Sequence, residues 1–258
     1  MKIEELFSVR GKVALVTGGS RGIGEMIARG YVENGVKVYI TARKADACDA
    51  LAEELSRYGE CVSIPADLSR MDEVDRLARE IEAREGKLHI LVNNAGASWG
   101  ASFDEFPESG WDKVMDLNVK SVFFLTQRLV KLLEAAATPE DYARVINIGS
   151  IDGLHVSGLE TYSYAASKAG VNHLTRMMAK FLAERHIAVN GIAPGYFPSK
   201  MTAGIAEEFG EAARQATPMK RWGHPEDMAG IALYLSSKAS AFTCGAVIPV
   251  DGGYATTA

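Results

Sequence analysis

Short apolar runs rich in β-branched residues alternate with longer helix-like segments along the whole chain of 258 residues. The runs are apolar at nearly every position, as strands are when both faces of a parallel sheet are covered. This alternation predicts right-handed strand–helix–strand units, and therefore a doubly wound α/β fold of the Rossmann type with a seven-stranded parallel sheet flanked by helices on both faces. The predicted strands are Val13–Thr17, Lys37–Thr41, Val62–Ala66, Ile90–Asn93, Arg144–Ile148, Ala188–Ile192 and Ala246–Val250.

The helix-like segments lie between these runs, and no Pro/Gly/Ser-rich linker or change in composition divides the chain. We therefore expect a single domain over residues 1–258. The stretch 196–224 interrupts the alternation and is predicted to be a lid over the substrate. The helix-like segments are 22–34, 45–58, 70–85, 111–135, 161–185 and 225–236.

Composition excludes several classes of function. With 47% hydrophobic and 24% charged residues the chain can bury a sizeable core. Its net charge of −5 argues against nucleic acid or an anionic membrane as the main partner. The sequence contains neither a stretch long enough to cross a bilayer nor a signal peptide, so we expect a cytoplasmic protein. The three cysteines and five histidines lack metal-binding spacing, so no metal site is predicted.

A glycine-rich turn, Gly18–Gly24, follows the first predicted strand and opens the first helix. Glycines at such a turn let backbone N–H groups approach a pyrophosphate at the helix N-terminus. The spacing differs from the usual G-x-G-x-x-G, and a glycine cluster is also compatible with a turn that binds nothing. The position after strand one favours a dinucleotide site.

The end of the second strand, Thr41–Lys44, contains no acid that could accept a hydrogen bond from a ribose 2′-hydroxyl. Arg43 lies there and Arg21 lies in the glycine-rich turn. Two guanidiniums suit a 2′-phosphate because charge-assisted forked hydrogen bonds are strong. The sequence therefore predicts NADP(H), with the alternative that Arg43 is an ordinary surface residue.

Tyr164 and Lys168 are four residues apart, a spacing that places both side chains on one face of a helix. A neighbouring ammonium favours the phenolate and brings a phenol pKa closer to the range useful for acid–base catalysis. Such a pair can also be a solvated helix face. Ser150 can be a cap, and Asn118 can be a satisfied core amide.

Taken together, these residues resemble the classical short-chain dehydrogenase/reductase family over essentially the full chain. Within it, the chain resembles 3-oxoacyl-carrier-protein reductases and the β-ketoacyl reductase associated with rhamnolipid synthesis. The spacing of 14 between Ser150 and Tyr164 is one longer than the family's commonest. The matching landmarks are Thr17–Gly24, Asp67-Leu68, Asn93–Gly96, Asn118, Ser150, Tyr164, Lys168, Pro194-Gly195 and Val250–Gly253.

The resemblance implies a catalytic group of four residues. Tyr164 is then the proton donor and acceptor, and Lys168 binds the nicotinamide ribose and lowers the tyrosine pKa. Ser150 hydrogen-bonds the substrate oxygen, and Asn118 holds a water that links Lys168 to solvent. The implied cofactor contacts are Gly18, Ser20, Arg21, Gly22, Ile23, Gly24, Arg43, Asp67, Leu68, Asn94, Ala95, Gly96, Tyr164, Lys168, Pro194, Gly195, Phe197 and Ser199.

The expected function is the interconversion of a ketone and a secondary alcohol by an NADP(H)-dependent oxidoreductase. The alternatives are an NAD-linked alcohol dehydrogenase of the same family, or a catalytically silent dinucleotide-binding redox sensor. The apolar character of the predicted pocket favours a bulky hydrophobic ketone or a 3-oxoacyl group. His155 either meets the substrate or is a surface residue. The predicted substrate contacts are Ser150, Tyr164, Trp99, Leu154, Tyr196 and Met201.

Two kinds of partner are expected besides the small carbonyl or alcohol substrate. Lys131 and Lys180 resemble basic positions of carrier-protein reductases, so an acyl carrier protein is a candidate partner. A homodimer or homotetramer is expected because two long helices are apolar on more than one face. The apolar positions concerned are Val122, Leu125, Leu129, Leu132, Val171, Leu174, Met178 and Leu182.

Overall fold

The strands of the chain form one sheet. The structure, a computed structural model, describes residues 2–199, 202–255 and 257. Within that part, seven strands pair in parallel throughout. The strands are β1 (Val13–Thr17), β2 (Lys37–Thr41), β3 (Cys61–Ser63), β4 (Ile90–Asn93), β5 (Ala143–Ile148), β6 (Ile187–Pro194) and β7 (Val247–Val250).

The strand order is β3-β2-β1-β4-β5-β6-β7, so the sheet grows outward in both directions from β1 and β4. The connections reverse direction between these two strands. In a doubly wound sheet, a crevice opens beside the carboxyl ends of the strands at such a switch point. The predicted doubly wound parallel fold is confirmed.

Helices cover both faces of the sheet. On one face α2, α3 and α9 pack against the sheet around Ile27, Leu55 and Leu235. On the other face α4, α6 and α7 bury Leu77, Leu129 and their neighbours. The helices are α1 (Ile3–Leu6), α2 (Gly22–Glu33), α3 (Ala45–Leu55), α4 (Met71–Arg84), α5 (Glu108–Met115), α6 (Ser121–Ala136), α7 (Tyr162–Leu182), α8 (Ala203–Ala216) and α9 (Pro225–Ser236).

The helix predicted at 111–135 is interrupted. One π-helical turn, Asp116–Lys120, joins α5 to α6. An extra residue in a helix rotates everything beyond it, and such turns often occur at functional sites. Asn118 lies in this turn and is 2% exposed, so the interruption places a polar side chain inside the protein.

Two other boundaries differ from the sequence prediction. Strand β3 ends at Ser63 rather than Ala66, because Pro65 has no N–H to donate to the ladder. The segment 196–224 contains a helix, α8, which the sequence did not predict. In the described part of the chain, no helix is both long and apolar enough to span a membrane.

The apolar positions of α6 and α7 that predicted a partner subunit point inward. They are buried or pack against the core beneath the two helices. The sequence could not distinguish an outward apolar face from the wide inward face of a helix that also contacts its neighbours. The large exposed apolar side chains on these helices are Phe123, Tyr162, Met177 and Phe181.

Candidate active site

A long cleft opens at the carboxyl edge of the sheet, beside β1 and β4. It brings together the ends of five strands, the start of α2 and the start of α7. The described residues that line it are Gly18, Ser20, Arg21, Gly22, Ile23, Thr41, Ala42, Arg43, Lys44, Ala47, Ala66, Leu68, Asn94, Ala95, Gly96, Leu117, Ile148, Gly149, Ser150, Tyr164, Lys168, Pro194, Gly195, Phe197, Ser199 and Thr202.

The glycine-rich turn closes one end of the cleft. Gly18 and Gly22 have φ values of 64° and 56°, in the left-handed region that favours glycine. Gly24 does not line the cleft, but a Cβ there would lie 2.3 Å from the Gly18 carbonyl oxygen. The amide of Asn94 donates to the carbonyl oxygens of Thr17 (2.8 Å) and Gly18 (3.1 Å), which fixes the turn to the end of β4.

Basic side chains surround the end of β2. Arg43 and Lys44 follow the strand, and Arg21 extends from the glycine-rich turn; all three are exposed and line the cleft. The hydroxyl of Thr41 is buried at the same point and has no hydrogen-bond partner among the described residues. An unpartnered buried hydroxyl beside three cations fits a polar anionic ligand such as a ribose phosphate.

Ser150 lies on the opposite wall, directly after β5. Its hydroxyl accepts a hydrogen bond from the Asp152 N–H at 3.1 Å and thereby caps the 3₁₀ turn Ile151–Gly153. The sequence left open whether Ser150 is a cap or a site residue. Ser150 is a cap and also lies at the cleft, since the residue that caps the turn is part of the cleft lining.

Tyr164 and Lys168 face the cleft from the first turns of α7. The Lys168 ammonium lies 5.5 Å from the centre of the Tyr164 ring and donates to the Ile148 carbonyl oxygen at 2.8 Å. Lys168 is 5% exposed. The helix and the end of β5 therefore bring a phenol, an ammonium and a hydroxyl to one wall.

Burial governs the ionisation of these groups. Burial raises the pKa of Tyr164 to about 12, although the nearby Ser150 hydroxyl favours the phenolate. Burial lowers the pKa of Lys168 to about 8, although the negative charge of Asp152 favours the ammonium. The pKa of Tyr164 thus lies above its ordinary value, opposite to the direction expected from Lys168, because removal from water is the largest effect on the phenol.

Asn118 connects the wall to the loop after β4. Its amide oxygen accepts from the Ala97 N–H at 2.8 Å, and its amide nitrogen donates to the Ala97 carbonyl oxygen and the Ser167 hydroxyl. Both ends of the amide are therefore bonded to protein. A Cβ on Gly96 would lie 3.4 Å from the amide oxygen of Asn118 and 3.7 Å from the Lys168 ammonium.

Asp67, predicted to contact the cofactor, is not among the described residues that line the cleft. Its carboxylate accepts from the backbone and hydroxyl of Ser69, so it stabilises the loop before α4. Its neighbours Ala66 and Leu68 line the cleft instead.

The predicted substrate contacts lie in different places. Ser150 and Tyr164 line the cleft. Trp99 packs on Gly110 and Lys113 of α5, outside the described lining. Tyr196 lies in an aromatic group with Trp222 and Tyr254 beside the cleft, with ring centres 5.7 and 5.3 Å away.

Leu154 is 41% exposed, on the loop that follows the capped turn. Met201 lies outside the described residues. The lining also contains residues that the sequence did not predict, namely Thr41, Ala42, Lys44, Ala47, Ala66, Leu117, Ile148, Gly149 and Thr202. Of these, Thr202 was detectable only through its contacts, since its hydroxyl donates to the Phe197 carbonyl oxygen at 2.7 Å and fixes the start of the lid segment.

Comparison with known proteins agrees with this geometry. The family described as enoyl-(acyl carrier protein) reductase matches residues 18–255. A rhamnolipid-biosynthesis 3-oxoacyl-(acyl-carrier-protein) reductase of Pseudomonas aeruginosa is 52% identical over 96% of this chain and 98% of its own. A 5-keto-D-gluconate 5-reductase of Escherichia coli is 38% identical over 97% of this chain and 98% of its own.

Solved structures show the same relationship. The Pseudomonas aeruginosa RhlG/NADP active-site complex superposes with a TM-score of 0.94 at 52% identity, covering 97% of this chain and 99% of the other. The chain therefore belongs to the short-chain dehydrogenase/reductase family of oxidoreductases.

Proposed function

We propose that this chain is an NADP(H)-dependent reductase that interconverts a ketone and a secondary alcohol, with Tyr164 as general acid and base. The observation that supports this most directly is the arrangement of Ser150, Tyr164 and Lys168 on one wall of a cleft. The other end of that cleft is a glycine-rich helix start of the kind that binds a diphosphate. A silent redox sensor has no need of the three catalytic groups.

NADP(H) is the cofactor that fits the residues present. Arg21, Arg43 and Lys44 supply positive charge where a 2′-phosphate has to lie, and Thr41 supplies a hydroxyl that no described residue bonds. The segment Thr41–Lys44 offers no acid for the 2′-hydroxyl of NAD. The reduced nicotinamide supplies a hydride when bound, and the protein supplies alignment and charge.

The chain's own groups manage the proton and the carbonyl oxygen. With a pKa of about 12, the Tyr164 phenol is protonated at neutral pH and can donate its proton to a forming alkoxide. The Ser150 hydroxyl donates a hydrogen bond to the same oxygen. Lys168, with a pKa of about 8, can return a proton from solvent to the tyrosine.

The substrate class we propose is a hydrophobic ketone or a 3-oxoacyl group. Apolar side chains on the loop after Ser150 support it, since Leu154, Val156 and Leu159 are all exposed. Exposed apolar groups beside a site favour an apolar ligand. The similarity to a 3-oxoacyl reductase points the same way.

The test of the activity is oxidation of NADPH and of NADH in the presence of a series of 3-oxo esters of increasing chain length. We expect turnover with NADPH, and kcat/KM that rises with chain length by up to about fourfold for each added CH₂. Absence of NADPH oxidation with every ketone would contradict the proposal.

Cofactor choice has its own test. Replacing Ala42 with Asp together with Arg43→Gln should shift relative kcat/KM toward NADH by roughly one to two orders of magnitude, because charged hydrogen bonds to the 2′-phosphate are lost. Arg84→Gln, at an exposed ion pair with Glu80, is the matched control and should leave the preference unchanged. Unchanged preference in the double variant would place the phosphate elsewhere.

A carrier-linked substrate and a self-assembled oligomer are also part of the proposal. Lys131 and Lys180 are exposed on α6 and α7. Charge reversal at both should lower activity with acyl carrier protein thioesters while sparing free 3-oxo esters. Equal loss with both substrates would exclude carrier docking there.

For assembly, Met177 and Phe181 are exposed and four residues apart on α7, so they share a face that a second copy can cover. Light scattering behind size exclusion should show a dimer or tetramer, and Phe181→Asp should weaken it. A monomeric wild-type protein would contradict this part of the proposal.

A further inference from the structure

Asp152 is a carboxylate placed among the proposed catalytic groups but not used by them. It follows Ser150 by two residues, and its own N–H donates to the Ser150 hydroxyl. The next residue, Gly153, packs so closely on α7 that a Cβ there would lie 2.6 Å from the Lys168 carbonyl carbon. Asp152 is therefore held between Ser150 and the helix that bears Tyr164 and Lys168.

The carboxylate of Asp152 is mostly buried, with a side-chain exposure of 19%. It accepts no hydrogen bond from any residue that the structure describes. The nearest group able to carry positive charge besides Lys168 is His155, whose Nε2 lies 3.9 Å away and is itself buried without a partner. The carboxylate keeps some exposure and lies two residues from Ser150 on the cleft wall, so it acts on its surroundings through its charge.

The charge of Asp152 reaches the reacting groups. Burial is the main cause of the raised pKa of Tyr164, and the carboxylate adds to it by opposing the phenolate. Burial likewise lowers the pKa of Lys168, and the carboxylate opposes that change by favouring the ammonium. The same carboxylate would repel a negative charge that a substrate carries beside its reacting carbonyl.

We propose that Asp152 determines specificity by excluding anionic substrates, so that the site accepts 3-oxo compounds whose carboxyl group is masked as a thioester or ester. This inference rests on the proposed reductase function and deepens it. A free 3-oxo acid carries its carboxylate two bonds from the reacting carbonyl, where Asp152 would repel it. A thioester or ester carries no charge there and leaves only the carbonyl oxygens to be accommodated.

The expected size of the effect follows from Coulomb's law. Like charges about 6 Å apart in surroundings of effective dielectric constant near 20 repel by an energy that corresponds to roughly a hundredfold change in affinity. Partial screening by solvent and by His155 reduces this, so an effect of roughly tenfold or more is expected.

The experiment compares 3-oxohexanoate with its ethyl ester, which differ in charge and share the reacting ketone. Asp152→Asn keeps the side-chain shape and removes the charge. We expect the ratio of kcat/KM for the acid to that for the ester to rise roughly tenfold or more in this variant. Asp112→Asn, which removes an exposed charge on α5, is the matched control and should leave the ratio at the wild-type value.

The outcomes separate this inference from the function on which it rests. A wild-type enzyme that reduces the ester, with an unchanged acid-to-ester ratio in Asp152→Asn, would overturn the role of Asp152 alone. Equal loss of both activities would show a structural role and overturn it too. If Asp152→Asn does not fold, Asp152→Ser provides the same comparison. Wild-type protein that reduces neither compound with NADPH would overturn the proposed function itself.

Discussion

Tyr164 is protonated at neutral pH because burial raises its pKa to about 12 and outweighs the Ser150 hydroxyl, which favours the phenolate. The spacing to Lys168 could be predicted from the sequence, since it follows from helix geometry. The direction of the pKa shift could not, because it depends on how far both groups are removed from water. The protonated phenol is suited to donating a proton, which favours ketone reduction as the direction in which Tyr164 is ready to act.

The first prediction concerns that phenol. Tyr164→Phe keeps the ring and removes the proton, so kcat should fall by about 10²–10⁴-fold while NADPH binding, followed by nicotinamide fluorescence, stays nearly unchanged. Tyr162→Phe is the control, because that phenol is exposed and bonds to Glu160. A loss in Tyr164→Phe smaller than about tenfold would reject Tyr164 as the acid.

Lys168 should cost the protein stability. Burial lowers its pKa from 10.5 to about 8, so the folded state binds this proton less tightly than the unfolded chain does. The penalty is fully present below the folded pKa and vanishes as pH rises through the unfolded value. Lys168→Met should therefore abolish turnover. It should nevertheless raise the free energy of unfolding at pH 7 by about 1–3 kcal/mol, a net value from which the lost hydrogen bond to Ile148 is already subtracted.

Urea unfolding of both proteins at pH 7 and near pH 10 tests this prediction. The stability gain of Lys168→Met should shrink as pH rises through that interval, while Tyr164 stays protonated in the folded state. A variant that is less stable than the wild type at pH 7 would show that the hydrogen bond to Ile148 matters more than the burial of the charge.

At the scale of elements, the glycine-rich turn and α2 are held by a contact too close for a side chain. Gly24→Ala would place its Cβ 2.3 Å from the Gly18 carbonyl oxygen and 2.5 Å from the Asn94 amide nitrogen. The turn has to move, so NADPH affinity should fall by roughly tenfold or more. Gly230→Ala on α9 meets nothing within 4 Å and should leave affinity unchanged. Isothermal titration of both variants with NADPH measures the two affinities. Equal affinities would contradict the prediction.

The elements show what sequence patterns can and cannot specify. Six strands lie within about one or two residues of their predicted bounds because apolar runs and glycine turns are local signals. The π turn at Asn118 depends on a bond to Ala97, 21 residues away, and left no local signal. Asp67 differs, because its carboxylate bonds to Ser69 two residues away, a local turn of the kind that Asp commonly forms. A tertiary contact therefore decided the position of Asn118, and a local turn decided that of Asp67.

At the scale of the whole molecule, a buried charge cluster joins distant segments at the edge of the sheet opposite the cleft. Lys12 and Arg144, both at least nine-tenths buried, share the single carboxylate of Asp141. Lys12 also donates to the Ser236 carbonyl oxygen, and Arg144 to that of Ser237. The cluster thus ties β1, β5 and the end of α9 together.

Asp141→Asn leaves two buried cations without an anion, and breaking such a pair typically costs about 3–5 kcal/mol. Asp141 is partly exposed, so we expect a loss of about 2–4 kcal/mol in urea unfolding. Asp75→Asn breaks an exposed pair with Arg128 and serves as control, with an expected loss below about 1 kcal/mol. Similar losses in the two variants would show that the cluster is no more than a surface ion pair.

The single π turn between α5 and α6 constrains how this chain can change over evolutionary time. Deleting one residue from it would restore an ordinary helix and rotate one half by roughly 100°. Either Asn118 would then leave Ala97, or Val122 and Leu125 would leave the core. Residues on either side of the π turn can be substituted independently, but the length of the turn cannot change. Relatives that keep both the Asn118 contact and the core packing of α6 must therefore also keep the extra residue.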